Sequence, residues 1–430
     1  MKKKTTYYLL ILLIFVVGIS SIAIYKKNSV LETLRKTFFV LPDEYKTIVL
    51  AVTGRTKYQN VSNDYNVRFL PKTQYLNLNY SKVKVNFLSK DKEKENYFLN
   101  KVLNIDYIKN YPFYLDIFKE NIYITTKSGF FYKFVKKKIL SENKKIDLKE
   151  IKTNLSVDKV LDSAIINDEI FISAAKTNKN CINLILYKSK IDTTSENFNF
   201  EVFKKFDECG KNEIGAGRIQ SYKFSSQHGI LLSTRSNYLF KDAPSNKPQD
   251  DKSIFGKTIF INLNNKDHFI FSKGHREIQG LFVNGDLILS SEHGPKGGDE
   301  INKLNYLNNY GWPISSYGQA YKKKEKKYYK SHNAHGFIEP LFVFLPSIGI
   351  SEIFIVPNDF SEMWKNSLLV TSLNGKSIYR LQFLSDKFEK VVYNESIFVG
   401  QRIRDIKYLT DEKIFLLALE TTGAIGIIQK

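Results

Sequence analysis

Two carboxylates and two arginines are the residues in this 430-residue chain whose types and spacing could do chemistry. Asp299 and Glu300 lie in Ser290–Gly318, where Gly294, Gly297 and Gly298 can take positive φ and Pro295 and Pro313 fix theirs. Carboxylates beside backbone carbonyls released from a strand ladder are hard-oxygen donors that suit a calcium ion; the alternative is turn chemistry alone. Arg402 and Arg404 lie two apart, so on a strand they would face one way as a two-pronged clamp for an anion. The alternative for them is a solvated edge strand or pairing with Asp405. His332 and His335, three apart on a lysine-rich loop, would serve a metal only if the loop were helical or a third ligand converged. Cys181 and Cys209 are the only cysteines. They form no metal or redox motif, and outside the cytoplasm they can pair.

These groups need a frame, and one pattern recurs that can supply it. A polar turn opens a short apolar run closing in Ser, Thr or Ala: Glu120–Thr125, Asp168–Ser173, His228–Ser233, Gly285–Ser290, Asn366–Thr371 and Glu412–Ala418. A second apolar segment follows most copies, and helical periodicity is absent. Strand pairs repeated at this scale predict a six-bladed β-propeller, with a large β-sandwich or barrel as the alternative. The widest interval between copies, 81 residues, contains Ser290–Gly318. Loops at one end of a propeller's channel make its site, so the position of this stretch agrees with its chemistry.

The remainder of the chain sets the compartment. Lys2, Lys3 and Lys4 precede an uncharged run from Tyr7 to Tyr25, and a bilayer needs on the order of 20 such residues. Residues 1–28 therefore read as a signal anchor, or as a signal peptide cleaved near Ser21-Ile22-Ala23. Either way the rest is exported: anchored and facing the periplasm or extracellular side, or released there. Residues 29–110 read as a membrane-proximal extension, a helix plus small strands, and 111–430 as the propeller. The formal charge of +21 invites a polyanion, but lysine far outweighs arginine and the protein is exported. A solvated lysine-rich surface is the expectation, with no nucleic-acid partner.

Several motifs then resemble one family. Glu292-His-Gly-Pro-Lys-Gly-Gly-Asp-Glu-Ile-Asn302, Asn309-Tyr-Gly-Trp-Pro313 and Ser316-Tyr-Gly318, with Gly274-His-Arg-Glu-Ile-Gln-Gly-Leu281 upstream and Gly400-Gln-Arg-Ile-Arg-Asp405 downstream, are similar to the glucose/sorbosone dehydrogenases. That resemblance implies a six-bladed propeller holding pyrroloquinoline quinone (PQQ) over the channel mouth, calcium, and oxidation of an aldose at its anomeric carbon with hydride transfer to the quinone. It implies Arg276 at the quinone, Gln279 and Tyr321 along the cofactor, and Arg402 and Arg404 at its carboxylates. It places Glu300 and the Tyr310 carbonyl on one calcium, and the Gly294 and Pro295 carbonyls on another beside the quinone.

The chain departs from the pattern where the chemistry should be. Gly215-Ala-Gly-Arg218 is kept, but the family's histidine base falls on Ile214, which cannot accept a proton. Glu213 would point elsewhere on an extended segment. Asn374 stands where a basic residue is expected, Glu277 where an asparagine is, and Val157 where a glutamine is, while Leu161-Asp162 survive. Two functions follow as expectations: an aldose dehydrogenase, or a non-catalytic calcium-binding propeller whose mouth takes a glycan or an envelope partner.

Overall fold

The computed structural model describes residues 67–69, 84–86 and 112–428, apart from 141–147, 180, 195, 211–213, 237–245, 322–327 and 422. The signal or anchor expected at 1–28, most of the extension expected at 29–110, and Glu213 lie outside the described residues. No described helix is long and apolar enough to cross a membrane.

Six antiparallel sheets form the blades of a propeller. Blade 1 holds Phe113–Phe118, Asn121–Thr126, Phe131–Val135 and Lys149–Thr153, and blade 2 Lys159–Ile166, Glu169–Asn178, Cys181–Lys190 and Glu201–Gly210. Blade 3 is built from Ala216–Phe224, Gln227–Thr234, Lys257–Asn262 and His268–Lys273, and blade 4 from Ile278–Asn284, Leu287–Glu292, Asp299–Lys303 and Phe342–Leu345. Blade 5 comprises Ile350–Ile355, Ser367–Ser372, Ser377–Phe383 and Val391–Phe398. Blade 6 comprises Ile403–Leu409, Ile414–Leu419 and Ala424–Ile428. Two short strands come from upstream of the boundary expected at residue 111. Lys84–Asn86 pairs antiparallel with Ala424–Ile428 as the fourth strand of blade 6, and Val67–Phe69 runs parallel to Phe342–Leu345 at the edge of blade 4. A disulfide joins Cys181 to Cys209 across the third and fourth strands of blade 2.

Every copy of the repeated motif falls on the second strand of a blade and the turn that opens it. Both faces of such a strand are covered by neighbouring blades, which is why Asn121–Thr126, Ser367–Ser372 and Ile414–Leu419 are buried at every position and carry continuous apolar stretches in place of an alternating pattern. The core is accordingly six wedges. Each lies between adjacent blades, and the wedge uniting Leu115, Ile122 and Tyr132 of blade 1 with Leu416, Ile425 and Ile427 of blade 6 closes the ring. Burying one such aliphatic side chain is worth about 1.5–3 kcal/mol.

The first strands line the channel, and most carry a register shift near the end at which they begin. Each first strand is the inner edge of its sheet, so some of its backbone N–H groups lie off the ladder, and acidic side chains of other blades take them up. Asp405 accepts from Leu115 N at 2.8 Å, Asp162 from Ile219 N at 2.9 Å, and Glu352 from Leu281 N at 3.0 Å. These bonds pin blade 6 to 1, 2 to 3, and 5 to 4.

Candidate functional site

Antiparallel pairing brings the start of each first strand beside the end of each second strand: Ala216 opposite Thr234, Ile278 opposite Glu292, and Ile403 opposite Leu419. The residues flanking these pairs form the channel mouth. Below it the wall holds Arg218, 3% exposed, whose Nη1 lies 2.9 Å from both Asp162 Oδ1 and Glu352 Oε2. Arg218 also donates to the Gln279 carbonyl and, at 3.2 Å, to the Arg404 carbonyl. Its guanidinium stacks over Tyr114, whose phenol burial pushes up to about 12. Burial likewise pushes Asp116 up to about 6, although Lys407 pulls it down, and Glu352 up to about 7, although Arg218 pulls it down.

At the mouth, Arg276 donates from Nη1 to the His293 carbonyl at 3.0 Å and lies over Trp312. Its backbone N–H bonds Glu292, whose other oxygen accepts from His275 Nδ1 at 3.0 Å. His275 is fully buried and stacked on Tyr310, so it orients Glu292 and the Arg276 backbone. The Arg276 Nε is buried with no hydrogen-bond partner among the described residues. Beside it, Glu277 lies 3.5 Å from Arg235 Nε, 3.9 Å from Arg276 Nη1 and 4.0 Å from His293 Nδ1. Burial works against the charge of Glu277, but Arg235, His293 and Arg276 hold its carboxyl below the usual range.

Ile214, where the family's base would stand, is 3% exposed and turned into the wedge between blades 2 and 3, against Leu161, Phe171 and Leu232. Position 214 therefore presents no side chain to the mouth. A Cβ on the next residue, Gly215, would lie 2.9 Å from Arg235 Cδ and 3.1 Å from Glu277 Oε1. The Arg235–Glu277 pair thus lies directly against this backbone. Asn374 is exposed, and Val157 packs at the edge of the wedge between blades 1 and 2.

Arg402 and Arg404 do face one way, and the anion they clamp belongs to the chain. Each donates from Nε at 2.7 Å to a different oxygen of Glu420, which is 1% exposed. Burial opposes the charge on Glu420, yet Arg404 and Arg402 hold its carboxyl below the ordinary value. Asp405 instead serves Leu115, Ile406 and Lys407. Arg404 also reaches Gln279 Oε1 at 3.3 Å, which joins blades 4 and 6 over the channel.

The cation side of the site lies in the insertion of blade 4. Asp299 and Glu300 begin a strand rather than a free loop, so their carbonyls are not all released from a ladder. The Asp299 carboxylate accepts from Gly294 N, Ser347 Oγ, Ile348 N and Ile350 N at 2.8–3.1 Å and is saturated by the chain. Gly294 leaves no room for a side chain, since a Cβ there would lie 2.1 Å from the Gly298 carbonyl. The Pro295 carbonyl accepts from Tyr321 Oη at 2.9 Å. The Glu300 Oε1 lies 3.5 Å from His332 Nε2, an ion-pair distance without hydrogen-bond alignment, while His332 Nδ1 meets the Tyr310 carbonyl at 3.1 Å. Burial pushes His332 down, but the Glu300 and Glu339 carboxylates and the Tyr310 carbonyl together offset it and its pKa lies above the ordinary value. His335 stacks on Tyr329 and takes no part.

The residues expected to meet a cofactor therefore gather at one mouth, but the fit to PQQ is poor. A tricarboxylate needs unpaired cations, and Arg402 and Arg404 already share Glu420 while Arg276 lies beside Glu277. Sequence reasoning passed over Arg235, Tyr114, Lys330 and Glu420. One signal could have found two of them. Arg235, Glu292 and Glu420 each stand two places beyond the residue that closes a repeat copy, at the mouth end of a second strand.

Comparisons agree with this architecture. A family model described as Glucose / Sorbosone dehydrogenase matches residues 185–427. Aldose sugar dehydrogenase YliI of Escherichia coli (strain K12) is 31% identical over 160 residues, 36% of this chain and 42% of that protein. Quinoprotein glucose dehydrogenase B of Acinetobacter calcoaceticus is 24% identical over 242 residues, 41% of this chain and 50% of that protein. The chain thus spans about half or less of the curated relatives it matches. The crystal structure of the soluble aldose sugar dehydrogenase from Escherichia coli in the apo-form superposes with a TM-score of 0.65 at 18% identity, covering 81% of this chain and 99% of that one.

Proposed function

The chain belongs to the glucose/sorbosone dehydrogenase family, whose model covers more than half of it, and we propose that its channel mouth binds a sugar or glycan without oxidising it. The burial of Ile214 carries this reading: at the position matched to the family's base, the side chain is in the hydrophobic wedge between two blades. Loss of a general base typically costs about 10²- to 10⁴-fold in rate. Carboxylate partners on Arg402, Arg404 and Arg276 support the same conclusion, because they occupy the charges that an anionic quinone would use. What remains at the mouth is a set of fixed donors and acceptors, with Arg276, Gln279 and Arg402 among them, suited to hydroxyl groups.

The protein acts outside the cytoplasm in this reading, anchored by its first segment or released from it. The uncharged run from Tyr7 to Tyr25 and the Cys181–Cys209 disulfide support that placement. A second reading, PQQ-dependent oxidation of an aldose, is favoured by one observation, the unpartnered Nε of buried Arg276.

A single preparation of the full chain tests both. Calorimetric titration with mono- and oligosaccharides is expected to give saturable binding that Arg276→Ala weakens, while PQQ, calcium, sugar and a dye acceptor together give only background dye reduction. Sugar-dependent dye reduction would contradict the first reading and select the second.

A further inference from the structure

We propose that side chains of the blade 4 insertion stand where calcium is expected: the His332 ring lies between the Glu300 carboxylate and the Tyr310 carbonyl, and the Lys330 ammonium fills a cage of backbone carbonyls. Calcium needs about six to eight oxygens at roughly 2.3–2.6 Å. Here an imidazole ring lies between the two expected donors, with Nδ1 3.1 Å from the Tyr310 oxygen and Nε2 3.5 Å from Glu300 Oε1. The Tyr310 carbonyl can only accept, so Nδ1 is the donor and a proton points at the atom a metal would need.

The ring is fixed. It is 1% exposed, stacks on Tyr317 with centroids 5.2 Å apart and planes at 23°, and belongs to a residue whose carbonyl accepts from both His335 N and Phe337 N at 3.0 Å. Gly311 admits it: a Cβ there would lie 3.2 Å from His332 Nδ1. Two residues earlier on the same segment, Lys330 Nζ donates to the carbonyls of Ser316 at 3.1 Å, Tyr317 at 3.2 Å and Gly318. Three acceptors match the three donors of an ammonium, so this cage is also complete. With the Asp299 carboxylate saturated by four donors, no group of three or more acidic, histidine or cysteine side chains that could hold a metal remains among the described residues.

The test uses the full chain stripped with a chelator, titrated with calcium to about 1 mM, the weak end for extracellular calcium modules. Thermal unfolding is followed in calcium and in chelator. The expected result is no binding heat at this loop and the same unfolding temperature in both. His332→Asp, which replaces the ring by an oxygen donor, is expected to gain a calcium-dependent rise in unfolding temperature. Calcium binding by the unaltered protein that survives Glu300→Gln does not use the Glu300 and Tyr310 oxygens and leaves His332 between them as proposed. One calcium bound by the unaltered protein and lost in Glu300→Gln would overturn the proposal, and that measurement does not depend on whether His332→Asp folds.

Discussion

Asp116 and Glu352 on the channel wall are pushed above the usual carboxylate range, to about 6 and about 7, whereas Glu277 and Glu420 at the mouth are held below it. Asp116, Glu352 and Glu420 are buried and Glu277 is largely so, yet the directions differ, so burial alone does not decide them. The ratio of charges does. On the wall four acids, Asp116, Asp162, Glu352 and Asp405, share two cations, Arg218 and Lys407. At the mouth each acid has two arginines, Arg235 and Arg276 for Glu277, and Arg402 and Arg404 for Glu420. On the wall the surplus negative charge adds to burial in raising the two carboxyls. At the mouth four arginines face two acids, so both acids stay charged and each arginine already has a carboxylate neighbour with which an anionic cofactor would have to compete.

The largest effect should come from removing the wall's shared cation. Arg218→Ala leaves Asp162 and Glu352 buried without it, and a loss of about 3–5 kcal/mol in denaturant unfolding is expected; stability close to the unaltered protein would break the contrast. The next effect is on pH. Asp116 and Glu352 hold protons in the fold that they release when unfolded, so the stability they confer is complete below about pH 4 and is lost as pH rises towards about 6 and about 7. For Asp116, a rise from 3.8 to about 6 corresponds to about 3 kcal/mol. Glu277 and Glu420 act in the opposite sense, contributing stability above the ordinary carboxylate range that disappears as pH falls through their depressed values. Denaturant unfolding from pH 3 to 8 should therefore show losses on both sides of about pH 4–5, with Asp116→Asn flattening only the upper limb.

A smaller loss, about 1–3 kcal/mol, is expected for Glu420→Gln, which strands two arginines that are partly exposed. The same change should let citrate raise the unfolding temperature, since a tricarboxylate can then take the freed clamp; an indifferent response would mean that the clamp is not an anion site. Smallest is Tyr321→Phe. It removes one hydrogen bond to the Pro295 carbonyl from a residue 37% exposed, and about 0.5–1 kcal/mol is expected in the same unfolding measurement.

The blades were legible because their cause is local. A second strand covered on both faces is apolar through its middle, and that signature survives in Ile122–Ile124, Leu368–Val370 and Phe415–Leu417 whatever the loops do. The clamp was legible for a similar reason, since residues two apart on a strand share a face, as Arg402 and Arg404 do on Glu420. Their partner was not. Glu420 reaches them through strand register, and Glu277 reaches Arg235 across 42 residues of chain, so pairing depends on how blades sit side by side. Asp299 and Glu300 were misplaced because a glycine-rich run hid a strand that resumes at Asp299. His332 was hidden differently. It lies 32 residues from Glu300 and meets it only because the insertion folds back on its own strand.

Titrating the full chain with PQQ in the presence of calcium, and following the fluorescence of Trp312 over which Arg276 lies, tests most directly whether the mouth's arginines keep their carboxylate neighbours. No saturable change up to about 1 mM PQQ, the range of weak ligands, is the predicted result. Saturation at micromolar PQQ, abolished by Arg276→Ala, would show that the mouth still accepts the quinone and would contradict the account.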